Sequence, residues 1–177
     1  SHAYTRGTWI APETTNLDRS QANAFFCTPA SVTAALHLKW MLALEEPREH
    51  VLWLAKGLPR LWLAEGERVS AAQLPSAYGR IDLTLVSSIE SKQEIAANVS
   101  VPSSWAATSG WGAPLGGLVL RLRAPTGWKM ASAALSDGGA WAVDARAECV
   151  RFSQAQLRAA GTLAKMQGIT VKYTKLL

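Results

Sequence analysis

The sequence predicts an α+β chain: a short helical segment, then an antiparallel β-sandwich, jelly-roll-like. Three observations carry that expectation. Residues 28–46 hold a dense apolar run that opens on helix-start residues and stops before Pro47. From Glu67 onward, apolar and polar residues alternate in short runs separated by turn residues, the period of half-buried strands. Between them, Arg48–Ser70 (REHVLWLAKGLPRLWLAEGERVS) carries Trp53 and Trp62 among leucines and is broken by Gly57 and Pro59. Two tryptophans at such a change of period place them at an interface between the two parts, residues 1–63 and 64–177.

The elements follow in order. Ser1 to Phe26 has no clear period and reads as an ordered loop anchored by Trp9 and Ile10. Cys27-Thr28-Pro29 opens the helix, with Thr28 as N-cap and Pro29 at the first helical position. Val32, Leu36, Leu38, Trp40, Met41 and Leu42 lie nearly all round its circumference, the pattern of a helix buried on more than one side. A short helix ends near Lys56, because proline restricts the residue before it. A second short helix or turn carries Leu61, Trp62 and Leu63 and closes at Gly66. Arg80–Ser88 alternates, with Ile81, Leu83 and Leu85 on one face; Ile95–Val101 and Leu118–Arg123 are further strands. Ser103–Gly117 reads as a long loop. Lys129–Leu135 and Ala140–Val143 flank Ser136-Asp137-Gly138-Gly139, a hairpin signal. Glu148–Phe152 and Ile169–Tyr173 complete the strands, with a short helix or irregular crossing over Gln154–Met166.

Composition bounds the function classes. A chain of 177 residues, 49% hydrophobic, is one medium domain, or a small one with a piece of another. The net charge of +5 comes from 18 scattered Lys and Arg, not the clustered stripe of a nucleic-acid surface, so no nucleic-acid partner is expected. No apolar run approaches the ~20 residues of a membrane span, and no membrane partner is expected. The opening SHAYTRG has neither a signal-peptide core nor an initiator Met, which reads as a processed product, a fragment or a trimmed end. The localisation stays open. Eight tryptophans are many for this length; core packing and sugar stacking are both uses for them. Cys27 and Cys149 read as two free thiols or as one disulfide.

No strong catalytic motif is present: no phosphate loop, no metal spacing and no cofactor signature. His37 reads as a packing residue on the helix, His50 as a solvated residue at a helix start, and His2 as part of the processed end. Glu13 is the acid to weigh. It stands in Arg6-Gly7-Thr8-Trp9-Ile10-Ala11-Pro12-Glu13-Thr14, where an acid beside an aromatic wall suits a sugar cleft. A loop acid capping a backbone amide is the plainer reading. Asp18 is the nearest second carboxylate, and Asn98-Val99-Ser100 matches the glycosylation pattern.

The order RGTWIAPE, CTPASVTAALHLKWMLALEE, VLWLAKGLPRLWL and EGERVSAAQLPSAYGRIDLTLVSSI resembles the C-terminal region of glycoside-hydrolase-like proteins of the six-hairpin (α/α)6-barrel superfamily. Leu74-Pro75-Ser76-Ala77-Tyr78-Gly79-Arg80-Ile81 is similar to that group's turn and strand, with Ser in place of Thr. The likeness spans residues 4 to 90, and the later strands follow by pattern alone. It implies that Thr28–Leu63 ends a barrel and that Ala64–Leu177 is an accessory β-sandwich. It further implies that Glu13 faces substrate, as the catalytic acid, the catalytic base or a binder only, with Arg6 and Trp9 as substrate-binding residues. The helix would then pack on barrel segments upstream of this chain.

Three functions compete. The first is a C-terminal part of a carbohydrate-active hydrolase, inactive alone and lacking metal or cofactor. The second is a carbohydrate-binding or adhesion module using the Trp105–Trp111 loop. The third is a structural subunit whose apolar helix docks onto a partner or onto itself.

Overall fold

The computed structural model describes residues 28–107, 112–134, 140–141, 143–162 and 165–176. Among the described residues, one helix precedes two mostly antiparallel sheets, an α+β arrangement. The helix, α1, is described over Thr28–Leu42. The Thr33 hydroxyl donates to the Pro29 carbonyl at 2.8 Å within it. Burial does not follow the expectation of a helix packed all round: only Leu42 is buried, while Val32 is 60% exposed and Leu36, Leu38 and Trp40 are all exposed.

The helix also ends four residues early. The chain switches directly into β1 (Ala43–Glu46), turns through residues 47–50, and returns as β2 (Val51–Leu54). The Leu42 carbonyl accepts the Ala55 N–H at 2.9 Å and the Met41 carbonyl accepts the Gly57 N–H at 3.2 Å, so the helix end is fixed by the strand that comes back to it. Val51–Leu54, expected to be helical, is therefore a strand. A short apolar run has no period to tell the two apart. The change from helix to strand falls at Ala43 rather than Ala64, and residues 41–177 form one compact unit. Arg60–Leu63 is the expected second turn, as a single 3-10 turn.

The remaining elements are β3 (Arg68–Ser76), β4 (Gly79–Ser88), β5 (Glu94–Ser100), a 3-10 turn at Ser103–Ala106, β6 (Leu118–Arg121), β7 (Trp128–Ala134), β8 (Ala140–Trp141), β9 (Val143–Asp144), β10 (Cys149–Phe152), α2 (Gln154–Thr162) and β11 (Lys165–Lys175). The five-stranded sheet has the order β1-β2-β6-β10-β9, and the six-stranded sheet β3-β4-β5-β11-β7-β8. The expected hairpin between residues 129 and 143 is present, with Ala133 opposite Trp141 and Ala134 opposite Ala140. Its second strand, however, is split, and β9 crosses to the other sheet. β3 escaped the strand reading. Its residues are mostly exposed, and Pro75 marks it as the edge strand it is.

The two sheets share one core. Leu52, Leu54, Leu118, Leu120, Val150 and Phe152 come from the first, and Ile81, Leu83, Leu85, Ile95, Val99 and Val171 are among those from the second. The alternation read in Arg80–Ser88 thus places Ile81, Leu83 and Leu85 inward as expected. One parallel pairing stands in the first sheet, β2 with β6. Gly116 and Gly117 make it possible. The Gly116 N–H donates to the His50 carbonyl and the Gly117 carbonyl accepts the Leu52 N–H, both at 3.0 Å. Gly117 has φ +88°, and a Cβ on either glycine would collide with a backbone carbonyl, that of Glu49 or of Phe152.

Candidate functional site

Arg6, Trp9 and Glu13, with His2, Asp18, Cys27 and Trp111, lie outside the described residues. The tryptophans within them divide by role. Trp105, read as part of a sugar-binding loop, is fully buried, and its indole N–H donates to the Tyr78 carbonyl at 2.7 Å. It is a core residue and offers no face to a sugar. Trp62, expected to be buried at an interface, is 41% exposed beside the exposed Leu61. Trp53 is half-buried on the outward face of the five-stranded sheet, packed against Val51, Val119 and Cys149 rather than in the shared core. His37 is an exposed residue stacked on Trp40, with ring centroids 5.7 Å apart, and not a core packing residue. His50 is exposed in the β1–β2 turn with φ 52°, so it does not start a helix. The Cys149 thiol is free and buried.

The carboxylates of residues 41–177 are largely tied into structural bonds. Glu148 takes both forks of Arg60, and Glu65 accepts the Ser91 hydroxyl and the Glu90 N–H. Those bonds, the Ser91 hydroxyl foremost, hold the Glu65 carboxyl below its usual range. Asp82 accepts the Gln73 N–H, Asp144 the Arg146 and Ala147 N–H groups, and Glu45 the Ala77 N–H. Glu90 and Glu94 pair with Lys175 and Lys172. Two free carboxyl groups facing one cleft, the minimum for glycoside hydrolysis, are not found among these. Nor do three His, Cys, Asp or Glu side chains gather as a metal would require among the described residues.

The cations are arranged differently. Successive outward positions of β2, β6 and β10 bring Trp53, Val119 and Arg151 into one row, and the next outward positions carry Arg121 beside Cys149. The Lys56 Nζ sits 4.4 Å from the Trp53 ring centroid and the Arg151 Cζ 5.8 Å from it. Each such contact is worth about 0.5–1 kcal/mol at a surface. Arg121 donates to the Ala147 and Lys56 carbonyls at 3.2 and 3.5 Å, and Arg123 to the Leu58 carbonyl at 2.6 Å. The Arg123 Nε is buried with no hydrogen-bond partner among the described residues, as is the Trp53 Nε1. Burial, then the like charges of Arg121 and Arg60, push the Arg123 guanidinium below its ordinary range. Burial raises the Cys149 thiol, with Arg151 and Arg121 opposing. Arg60, Lys172 and Lys175 have carboxylate partners; Lys56, Arg121, Arg123 and Arg151 have none among the described residues.

Sequence reasoning passed over this cluster because its members are spread singly from residue 56 to 151. The available signal was alternation: Leu-Val-Leu-Arg-Leu-Arg and Cys-Val-Arg-Phe put arginines on the face opposite the core leucines. Of the three-residue pattern at Asn98, Asn98 alone is exposed while Val99 is core, and the Asn98 side-chain carbonyl accepts the Gly168 N–H at 2.8 Å. No helix among the described residues is long and apolar enough to cross a membrane. Comparison with protein-family models, with curated proteins and with solved structures finds no match.

Proposed function

We propose that this chain is the C-terminal portion of a carbohydrate-active, glycoside-hydrolase-like protein, and that it is not catalytic on its own. In this reading α1 closes an (α/α)6 barrel, and the two sheets form an accessory β-sandwich of jelly-roll kind. Glu13, with Arg6 and Trp9, faces substrate only when the upstream barrel is present. The observation that supports the non-catalytic half is the engagement of Glu65, Asp82, Asp144 and Glu148 in backbone and ion-pair bonds. The exposed apolar side chains of α1 support an upstream partner or self-association, since large uncovered apolar surface is uncommon on soluble monomers.

A second reading, a non-catalytic carbohydrate-binding or structural interaction module, is favoured by Trp62, an exposed indole on a short 3-10 turn. The purified chain is to be assayed against aryl glycosides and plant and algal oligosaccharides. The expected result is binding without turnover. Turnover that survives purification and vanishes in Glu13→Gln would make the chain an enzyme in its own right and overturn the reading.

A further inference from the structure

We propose that Ala43–Glu46 is a two-position segment: docked as β1 in the five-stranded sheet, or released from it and wound onto α1 as one more helical turn. The inference stands apart from the carbohydrate reading. Its basis is a conflict between what these residues favour locally and where the fold holds them. Ala43, Leu44, Glu45 and Glu46 are strong helix formers, and alanine and glutamate are poor strand residues. They follow α1 with no intervening turn, and the first helix breaker after them is Pro47. Their place in the sheet is correspondingly shallow. β1 is an edge strand, bonded to β2 alone, and Ala43 is its one buried residue. Releasing it withdraws one alanine side chain from the core.

The same two carbonyls serve both positions. In the docked form the Met41 and Leu42 carbonyls accept the Gly57 and Ala55 N–H groups, at 3.2 and 2.9 Å. In a continued helix they accept from Glu45 and Glu46, four residues on. Winding therefore exchanges one pair of donors for another and leaves neither carbonyl bare. The docked hairpin also carries a backbone cost. His50 in its turn and Ala55 just after β2 have left-handed φ values of 52° and 56° without being glycine. Against this stand the β1–β2 pairing, the burial of Ala43, and a latch, the Glu45 carboxylate accepting the Ala77 N–H at 3.1 Å. In the released form Leu44 falls four residues beyond Trp40, in line with Val32, Leu36 and Trp40, which are already exposed on α1. A contact made on that stripe binds the released form through one more side chain. It thereby draws β1 from the sheet and bares the edge of β2.

The test is NMR saturation-transfer exchange spectroscopy on the Cα carbons of the isotopically labelled full chain. The expected result is a minor state of residues 43–46 whose Cα shifts have the helical sign. Glu45→Ala removes the latch and improves the helix former, and should raise the minor population about 5-fold. Leu44→Ile favours the strand and should lower it about 2-fold. The parent chain is read first, so the outcome does not depend on either variant folding. A minor state with random-coil shifts, which simple fraying of an edge strand gives, overturns the inference. So does the absence of a helical minor state from both the parent and Glu45→Ala, or a helical minor population that neither substitution moves.

Discussion

Arg60 and Glu148, 88 residues apart in sequence, meet fork to fork: Nη1 donates to Oε1 at 2.7 Å and Nη2 to Oε2 at 2.6 Å. Arg60 Nη1 also donates to the Ala124 carbonyl at 2.6 Å, so this pair ties the 3-10 turn after β2 to the turn before β10 and to the chain after β6. The Glu148 hydrogen bond is the main reason the Arg60 guanidinium is held above its ordinary range. Glu148→Gln is expected to lower unfolding stability by about 1–2 kcal/mol, kept modest by solvent screening of the half-exposed Arg60. Urea titration checks it; an unchanged midpoint would show the pair to be ornamental.

Gly117 and Gly127 separate two costs. Both have left-handed backbones, at φ +88° and +95°, but a Cβ on Gly127 meets open space while one on Gly117 strikes the Phe152 carbonyl. Gly127→Ala should cost about 1–2 kcal/mol from backbone conformation alone. Gly117→Ala should cost about 3 kcal/mol or more, because β6 can no longer lie between its neighbours. Equal midpoints for the two variants would refute the close approach.

Trp105 and Trp62 make a second contrast. Trp105→Ala removes a fully buried indole and its bond to Tyr78, an expected loss of about 3–5 kcal/mol. Trp62→Ala should change stability by no more than about 0.5 kcal/mol, as for other exposed positions. Thermal melts of the two variants decide the matter, and a large loss in the second would place Trp62 against something that buries it.

Alkaline pH should unfold the protein. The Tyr173 hydroxyl is buried and donates to the Leu122 carbonyl at 2.8 Å, and burial first, then Glu148, raises its pKa. A folded-state pKa above the unfolded value of about 10 favours the protonated, folded form. Its contribution is complete below that pH and is lost as pH rises beyond it. Tyr78, raised chiefly by burial, acts in the same direction. Stability measured from pH 8 to 11 should fall less steeply in Tyr173→Phe, although that variant starts lower for want of its hydrogen bond. Parallel curves would remove Tyr173 from the account.

Self-association through α1 is the fifth expectation. Val32, Leu36 and Trp40 recur at helical spacing and all are exposed. Sedimentation should report a concentration-dependent species that Leu36→Lys weakens, and a monomer free of dye-binding apolar surface would remove the basis for it.

What the sequence disclosed follows from where each residue's partners lie. β4 was legible because one face of it is core and the other solvent, which writes a period of two into Ile81, Leu83 and Leu85. β2 was not, because Val51, Leu52 and Leu54 are buried on both faces and the alternation disappears. The end of α1 depends on the Ala55 N–H reaching the Leu42 carbonyl, a partner that no local pattern announces. Leu44 to Glu46 would continue a helix well enough in isolation. Glu13 stands out by its neighbours in sequence, whereas Lys56, Arg121 and Arg151 become neighbours only through the registers of β2, β6 and β10.

β11 lies in the interior of its sheet, bonded to β5 on one side and β7 on the other. During synthesis, the β3-β4-β5 group and the β7-β8 pair therefore wait as separate halves, each with a bare edge, until residues 165–175 emerge. Pairing across that span is slow to nucleate, because the contacts join distant parts of the chain. An interrupted translation product would display two unfinished edges at once, and these edges, rather than any flaw in the mature molecule, are where a chaperone would be needed.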